Sequence, residues 1–155
     1  MKKFLLSLAV GAALATSAQA ATISVGTEAT FAPFEFMDEQ TKQLTGFDME
    51  IIEAVAKEMG DDVRVHNMGF DALIPSLQTG IIDVTVAAMT ITPERQKRVD
   101  FTDPYYQSGL VIMVRKEDAK KYTNFESLEG QRLCAQIGTT GAMMAKRVKN
   151  AKVTE

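Results

Sequence analysis

The segment AAMTITPER, residues 87 to 95, carries groups suited to holding an anion. Thr92 is a good N-cap and Pro93 a good first helical residue. Arg95 then falls in the first helical turn, where a cation opposes the helix dipole. Two readings stand. Arg95 is either a solvated residue paired with Glu94 or Asp100, or it faces inward and holds a carboxylate by two parallel hydrogen bonds. Thr90, at a strand end, could add a hydroxyl. Ala87 and Ala88 are small enough for a ligand to approach the backbone, and equally suited to tight packing of a helix on a sheet.

Other candidates also lie where strands end, the place where open α/β sheets bind ligands. GTEATFAPFEF, residues 26 to 36, places Phe31, Phe34 and Phe36 in an expected strand-to-helix loop. Aromatic surface there must be covered by the core or by a ligand. Phe31 and Phe70 each follow a strand, and are either core residues or two walls around a ligand's apolar body. Glu28 suits an amine or amide, or is a solvated loop acid. QIGTTG, residues 136 to 141, reads as a glycine-containing turn into a helix, with free N–H groups that suit an anion. Thr139, Thr140 and Gly141 fit an ordinary helix start equally well.

Catalytic and metal motifs are scarce. His66 is the single histidine, in a strand, and Cys134 the single cysteine. Cys134 lies in an apolar strand and is expected to be a buried, inert thiol, and no internal disulfide can form. There is no metal-ligand cluster, Gly-x-Ser-x-Gly elbow or phosphate loop. The 155 residues, 46% hydrophobic, allow one domain with a real core, and the net charge of -3 gives no reason to expect nucleic acid. No cofactor is expected.

The elements that must position these groups alternate. TISVG is a strand, and DEQTKQLTG a polar hairpin or loop. DMEIIEAVAKEMG is a helix capped by Asp48 and stopped by Gly60, with Ile51, Ile52, Val55 and Met59 on its apolar face. DVRVHNM alternates like a strand. FDALIPSLQTG is a helix with Leu73, Ile74 and Leu77 on one side and Pro75 near its start. IIDVTVAAM reads as a strand buried on both faces. TPERQKRVD is a short helix, SGLVIMVRK a strong strand, NFESLEG a short helical segment and RLCAQIG a strand. TTGAMMAKRVKN begins a helix, with Lys146, Arg147, Lys149 and Lys152 as a solvated basic cluster. This order predicts an α/β fold with a mostly parallel sheet and helices on its faces.

Residues 1 to 20 read as a cleavable export signal. Lys2 and Lys3 are the basic region, FLLSLAVGAALA the apolar run and Ala18-Gln19-Ala20 the cleavage site. Cleavage after Ala20 removes two lysines and no acids, so the mature charge is -3 - 2 = -5.

Taken together, GTEATFAPFEF, LTGFDMEIIEAVAKEMG, FDALIPSLQTGIIDV, TITPERQKRVDFTDPYY and LEGQRLCAQIGTTG resemble the periplasmic polar-amino-acid-binding proteins of ABC importers, the family 3 solute-binding proteins. The resemblance covers most of residues 23 to 141, in the family's order. It implies a periplasmic-binding-protein type II-like α/β fold of two lobes, each with a mostly parallel sheet, closing on an amino acid. Residues 21–109 would be the first lobe and 110–155 the start of a second, with the hinge near Ser108 to Leu110. By the family's motifs, Phe31 and Phe70 would stack on the ligand side chain, while Phe34 and Phe36 pack under the loop. Arg95 would clamp the α-carboxylate, helped by Thr90 and the backbone of Ala88. Glu28 would read a side-chain amide or cation. Thr140 would reach the carboxylate from the second lobe, where Gln136 and Gly141 match substrate-dependent positions.

Family members are substantially longer, so the second lobe is expected to be truncated, without its returning crossover or the acid that pairs with the α-amino group. The resemblance further implies a free periplasmic protein, a monomer, delivering its ligand to a membrane permease. Glutamine is the first expected ligand, with arginine, lysine or histidine behind it. The competing readings are an exported enzyme on the same fold, a prephenate-type dehydratase, and an inactive fragment whose residues 110–155 are loosely held.

Overall fold

The computed structural model describes residues 20–155, and the leader expected over residues 1–20 lies, but for Ala20, outside the described residues. The chain opens with β1 (Thr22–Thr27), and the aromatic segment expected as a loop is a small antiparallel meander instead. Its strands are β2 (Thr30–Phe31), β3 (Glu35–Met37) and β4 (Leu44–Thr45), in the order β2-β3-β4. The polar stretch after β3 makes the expected hairpin: Asp38 Oδ1 accepts the N–H groups of Gln40 and Thr41 at 3.0 and 2.7 Å.

Helix α1 (Phe47–Met59) follows, then β5 (Asp62–Asn67), α2 (Phe70–Gln78) and β6 (Val84–Thr85). Both partners of β1 are parallel to it, giving the order β5-β1-β6. Successive residues of a strand point to opposite faces. Val25 packs with Met49 and Ile52 of α1, while a Cβ on the adjacent Gly26 would meet Leu73 of α2 and Ile82. Helices therefore cover both faces, as the alternating pattern predicts.

Helix α1 departs from expectation at both its cap and its face. The N-cap is Gly46, not Asp48. The backbone at Gly46 has φ 128° and passes so close to Phe34 that a Cβ would collide with the Phe34 carbonyl. Only glycine fits there. The buried stripe is Asp48, Met49, Ile52 and Ala56, whereas Val55 and Met59 are exposed. Gly60 ends the helix in the left-handed conformation, as expected. In α2 the expected start at Phe70 holds, but Pro75 is the sixth of the nine helical residues rather than near the start.

The apolar run around β6 pairs over only Val84–Thr85; Ile82, Val86 and Ala87 are buried but Ile81 is exposed. The short helix α3 (Pro93–Gln96) forms as predicted. Residues 108–116, expected as a strong strand, belong to no sheet among the described residues, and Val111 and Met113 are exposed. Their pattern suits a strand, but a strand also needs an edge to pair with, and β7 (Arg132–Cys134) pairs in parallel with β8 (Lys152–Thr154) instead.

Between these two strands lies α4 (Thr140–Ala145), so the basic cluster falls after the helix rather than on it. It remains exposed, with Lys146 bound to Glu155 and Lys149 to Glu129. Cys134 is exposed, not buried. A three-residue strand in a two-stranded sheet does not cover its outer positions. No described helix is long and apolar enough to cross a membrane.

Candidate functional site

Arg95 is buried and faces inward. Thr92 caps α3 by accepting the Arg95 N–H at 3.2 Å, with Pro93 in the first turn. That local geometry starts the side chain back toward the sheet. Its two terminal nitrogens donate to backbone carbonyls, Nη1 to Thr90 at 2.6 Å and Nη2 to Gly138 at 2.9 Å. The guanidinium lies 5.4 Å from the Phe70 ring centroid, within cation–π range. Burial pushes its pKa down, since desolvation disfavours the charged form. No carboxylate of the described residues forms an ion pair with it; the ion pairs present are those of Lys146 and Lys149.

The cap is a test of this geometry. Thr92→Ala removes the acceptor for the Arg95 N–H and should cost about 1 kcal/mol. Chemical denaturation of the two chains measures that loss. No change in midpoint would mean that the cap does not hold α3.

Residues from the far end of the chain reach the same place. Gln136 donates its side-chain amide to Glu28, joining the turn after β1 to the turn after β7. Gly138 has φ 78° and lies against Asp71 at the start of α2, where a Cβ would be 3.1 Å from backbone. Thr139 caps α4 by accepting the Ala142 N–H at 3.2 Å. Thr140 and Gly141 are the first residues of that helix, both half-buried. The structure thus gathers Phe70, Thr90 and Gly138 around Arg95 and joins Gln136, two residues before Gly138, to Glu28, with Thr140 and Gly141 two and three residues after Gly138.

Phe31 stands apart. It is 54% exposed and stacks on Phe34 with centroids 5.7 Å apart, not on Phe70. Phe34 also meets Phe47 and Tyr106 edge-on. Phe34 and Phe36 are half-buried, and Phe34 ties the meander to α1 and to Tyr106. A groove of about 420 Å³ lies between α2, β6 and residues 98–105; Ala87 lines it, but Glu28, Phe31, Phe70, Ala88, Thr90, Arg95, Gln136, Thr140 and Gly141 do not.

Ala88 holds a surprise. Its φ is 44°, left-handed and costly for alanine. Its N–H donates to Asp48 Oδ2 at 2.6 Å, so that N–H is engaged and unavailable to a ligand anion. Asp48 also accepts the Tyr105 hydroxyl, at 3.0 and 3.1 Å to its two oxygens. Beside it lies Glu35, fully buried, with Oε2 lacking a partner. Burial first, then the charge of Asp48, pushes the Glu35 carboxyl up to about 9. Burial likewise raises the Tyr105 phenol. None of these three was expected at the site. One sequence signal existed: Asp48 shares the i, i+4 stripe of Ile52 and Ala56, an acid on a buried face.

Residues 23–152 match the model of the bacterial extracellular solute-binding proteins, family 3. The chain belongs to this family. A probable histidine-binding protein of Campylobacter jejuni is 41% identical over 133 residues, covering 85% of this chain and 50% of the relative. ABC transporter arginine-binding protein 1 of Escherichia coli is 36% identical over 140 residues, covering 90% and 56% respectively. An ancestral arginine-binding protein solved with arginine superposes with a TM-score of 0.79 at 44% identity, covering 86% of this chain and 59% of that one. The chain spans about half the length of the curated relatives it matches.

Proposed function

We propose that this chain binds a free polar L-amino acid outside the cytoplasm, for delivery to the permease of an ABC importer. The observation that carries the reading is Arg95: a buried guanidinium held by carbonyls, with no carboxylate of the described residues to balance it. A buried charge without a counter-charge is costly, and a ligand carboxylate supplies one in bidentate geometry. Thr90 adjoins it, and Thr140 and Gly141 complete that side.

Glu28 is the group for the ligand's side chain, with Gln136 as its present partner. An acid there suits an amide or a cation. Sequence alone puts glutamine first, and the names of the relatives move the basic amino acids ahead of it. Residues 21–109 form a first lobe and 110–155 part of a second, joined near Ser108 to Leu110. The leader over residues 1 to 20 sends the protein to the periplasm as a monomer, and binding requires no catalytic group.

Thermal shift of residues 21–155 against the twenty amino acids tests this. A ligand that binds only the folded chain raises Tm by mass action. Arginine, lysine or histidine is expected to give the largest shift. In Glu28→Gln that shift should weaken by about tenfold in affinity, since a hydrogen bond to a charged group is worth roughly 1.5–3 kcal/mol. A transition that no amino acid moves would refute binding by this chain. Turnover of prephenate would favour the dehydratase instead.

A further inference from the structure

Glu35 and Asp48 have 1% and 0% of their surface exposed, and the Asp48 N–H bonds the carbonyl of Phe34, next to Glu35, at 2.9 Å. They come from different elements, β3 and the first turn of α1. Asp48 is supplied with donors by Ala88 and Tyr105. Glu35 is not: its Oε2 is buried without a partner. The titratable groups facing the pair are Glu28 from the turn after β1 and Tyr105 from the segment after α3, and neither is a cation. No lysine, arginine or histidine of the described residues forms an ion pair with either acid.

Two bare carboxylates in such a place repel each other and strand an acceptor. One proton removes both penalties. It makes Glu35 a donor toward Asp48, whose N–H bonds the carbonyl of the neighbouring Phe34 at 2.9 Å. The orphaned acceptor and the repulsion vanish together.

We propose that Glu35 and Asp48 share one proton, and that the pair positions the binding segment: protonated Glu35 fixes Asp48, and Asp48 fixes the backbone of Ala88 and the hydroxyl of Tyr105. The strained φ of 44° at Ala88 is what needs fixing, because Thr90 and Arg95 follow from it. Without the 2.6 Å bond from its N–H, alanine returns to right-handed or extended backbone and the segment through Arg95 shifts. Asp48 and Glu35 are positioning residues; neither needs to touch the ligand. This rests on the reading of Arg95 as the carboxylate clamp.

The test pairs a titration with a binding measurement. The side-chain carboxyl carbon of Glu35 and the amide of Ala88 are followed by NMR in the 155-residue chain, from about pH 5 to pH 9. In the wild type both should titrate together, well above the usual carboxylate range. In Glu35→Gln, whose amide still donates to Asp48, the Ala88 amide should stay at its low-pH position throughout. Glu35→Ala, which cannot donate, should shift that amide and weaken arginine binding about tenfold, with Gln restoring most of it, as loss of a hydrogen bond to a buried charged group predicts.

A Glu35 carboxyl that ionises in the ordinary range, or an Ala88 amide indifferent to it, overturns the shared proton. Equal arginine affinity in Glu35→Ala and wild type overturns the positioning role. If the wild type binds no amino acid at all, the binding role falls with the proposed function, and the titration still decides the proton.

Discussion

Arg95→Ala is expected to weaken binding of the cognate amino acid by about 100-fold or more. Removing one partner of a buried, hydrogen-bonded ion pair costs roughly 3–5 kcal/mol, and each 1.4 kcal/mol is tenfold in affinity. The ligand carboxylate would be left in a dry site with nothing to balance it. The unliganded chain should change much less. Arg95 gives up its bonds to the carbonyls of Thr90 and Gly138, but a buried charge disappears with them. Arg95→Lys keeps the charge and loses the planar fork, so it should fall between alanine and wild type. Isothermal titration calorimetry with arginine reads all three. An alanine variant within threefold of wild type would place the ligand carboxylate somewhere other than Arg95.

Arg95 was legible because its placement is local. Thr92, Pro93 and Arg95 lie within four residues of each other, and capping rules alone set the helix start. Whether the side chain turned in or out was not local, and the sequence left it even. The same limit appears in α1. Hydrophobic residues lie on several sides of that helix, and only packing against Val25 and Val86 selects Met49 and Ile52 over Val55 and Met59. For residues 108–116 the pattern announces a strand, yet strand formation depends on a partner edge that no local pattern encodes.

The network under the site was out of reach for a similar reason. Asp48 meets Ala88 across 40 residues and Tyr105 across 57. A helix-start aspartate usually caps, so Asp48 read as a cap. The fold gives that role to Gly46, because only glycine fits against the Phe34 carbonyl, and this moves Asp48 two positions inward to a buried face. Family resemblance pointed to Ala88 as a ligand contact, but its N–H belongs to the scaffold. Sequence motifs mark where a site is; the groups that hold it in shape come from elements distant in the chain.

That scaffold should make the chain more stable in mild acid than in mild base. Glu35 is held protonated in the fold, its carboxyl raised to about 9, while in the unfolded chain it ionises near 4.5. Between those values the folded state binds a proton that the unfolded state has released. The unfolding free energy therefore falls as pH rises, by up to about 1.4 kcal/mol per pH unit. From pH 5.5 to 8 this amounts to roughly 3 kcal/mol, a large share of the stability of a small domain. Glu35→Gln carries no such proton, so its stability should lack this slope while other groups titrate as in the wild type. Urea denaturation of both chains at several pH values isolates the contribution, because the difference between the two curves belongs to the Glu35–Asp48 pair. Parallel curves would show that Glu35 is ionised in the fold as it is outside it. The buried pair would then be two carboxylates after all, held together against their charge by contacts other than a shared proton.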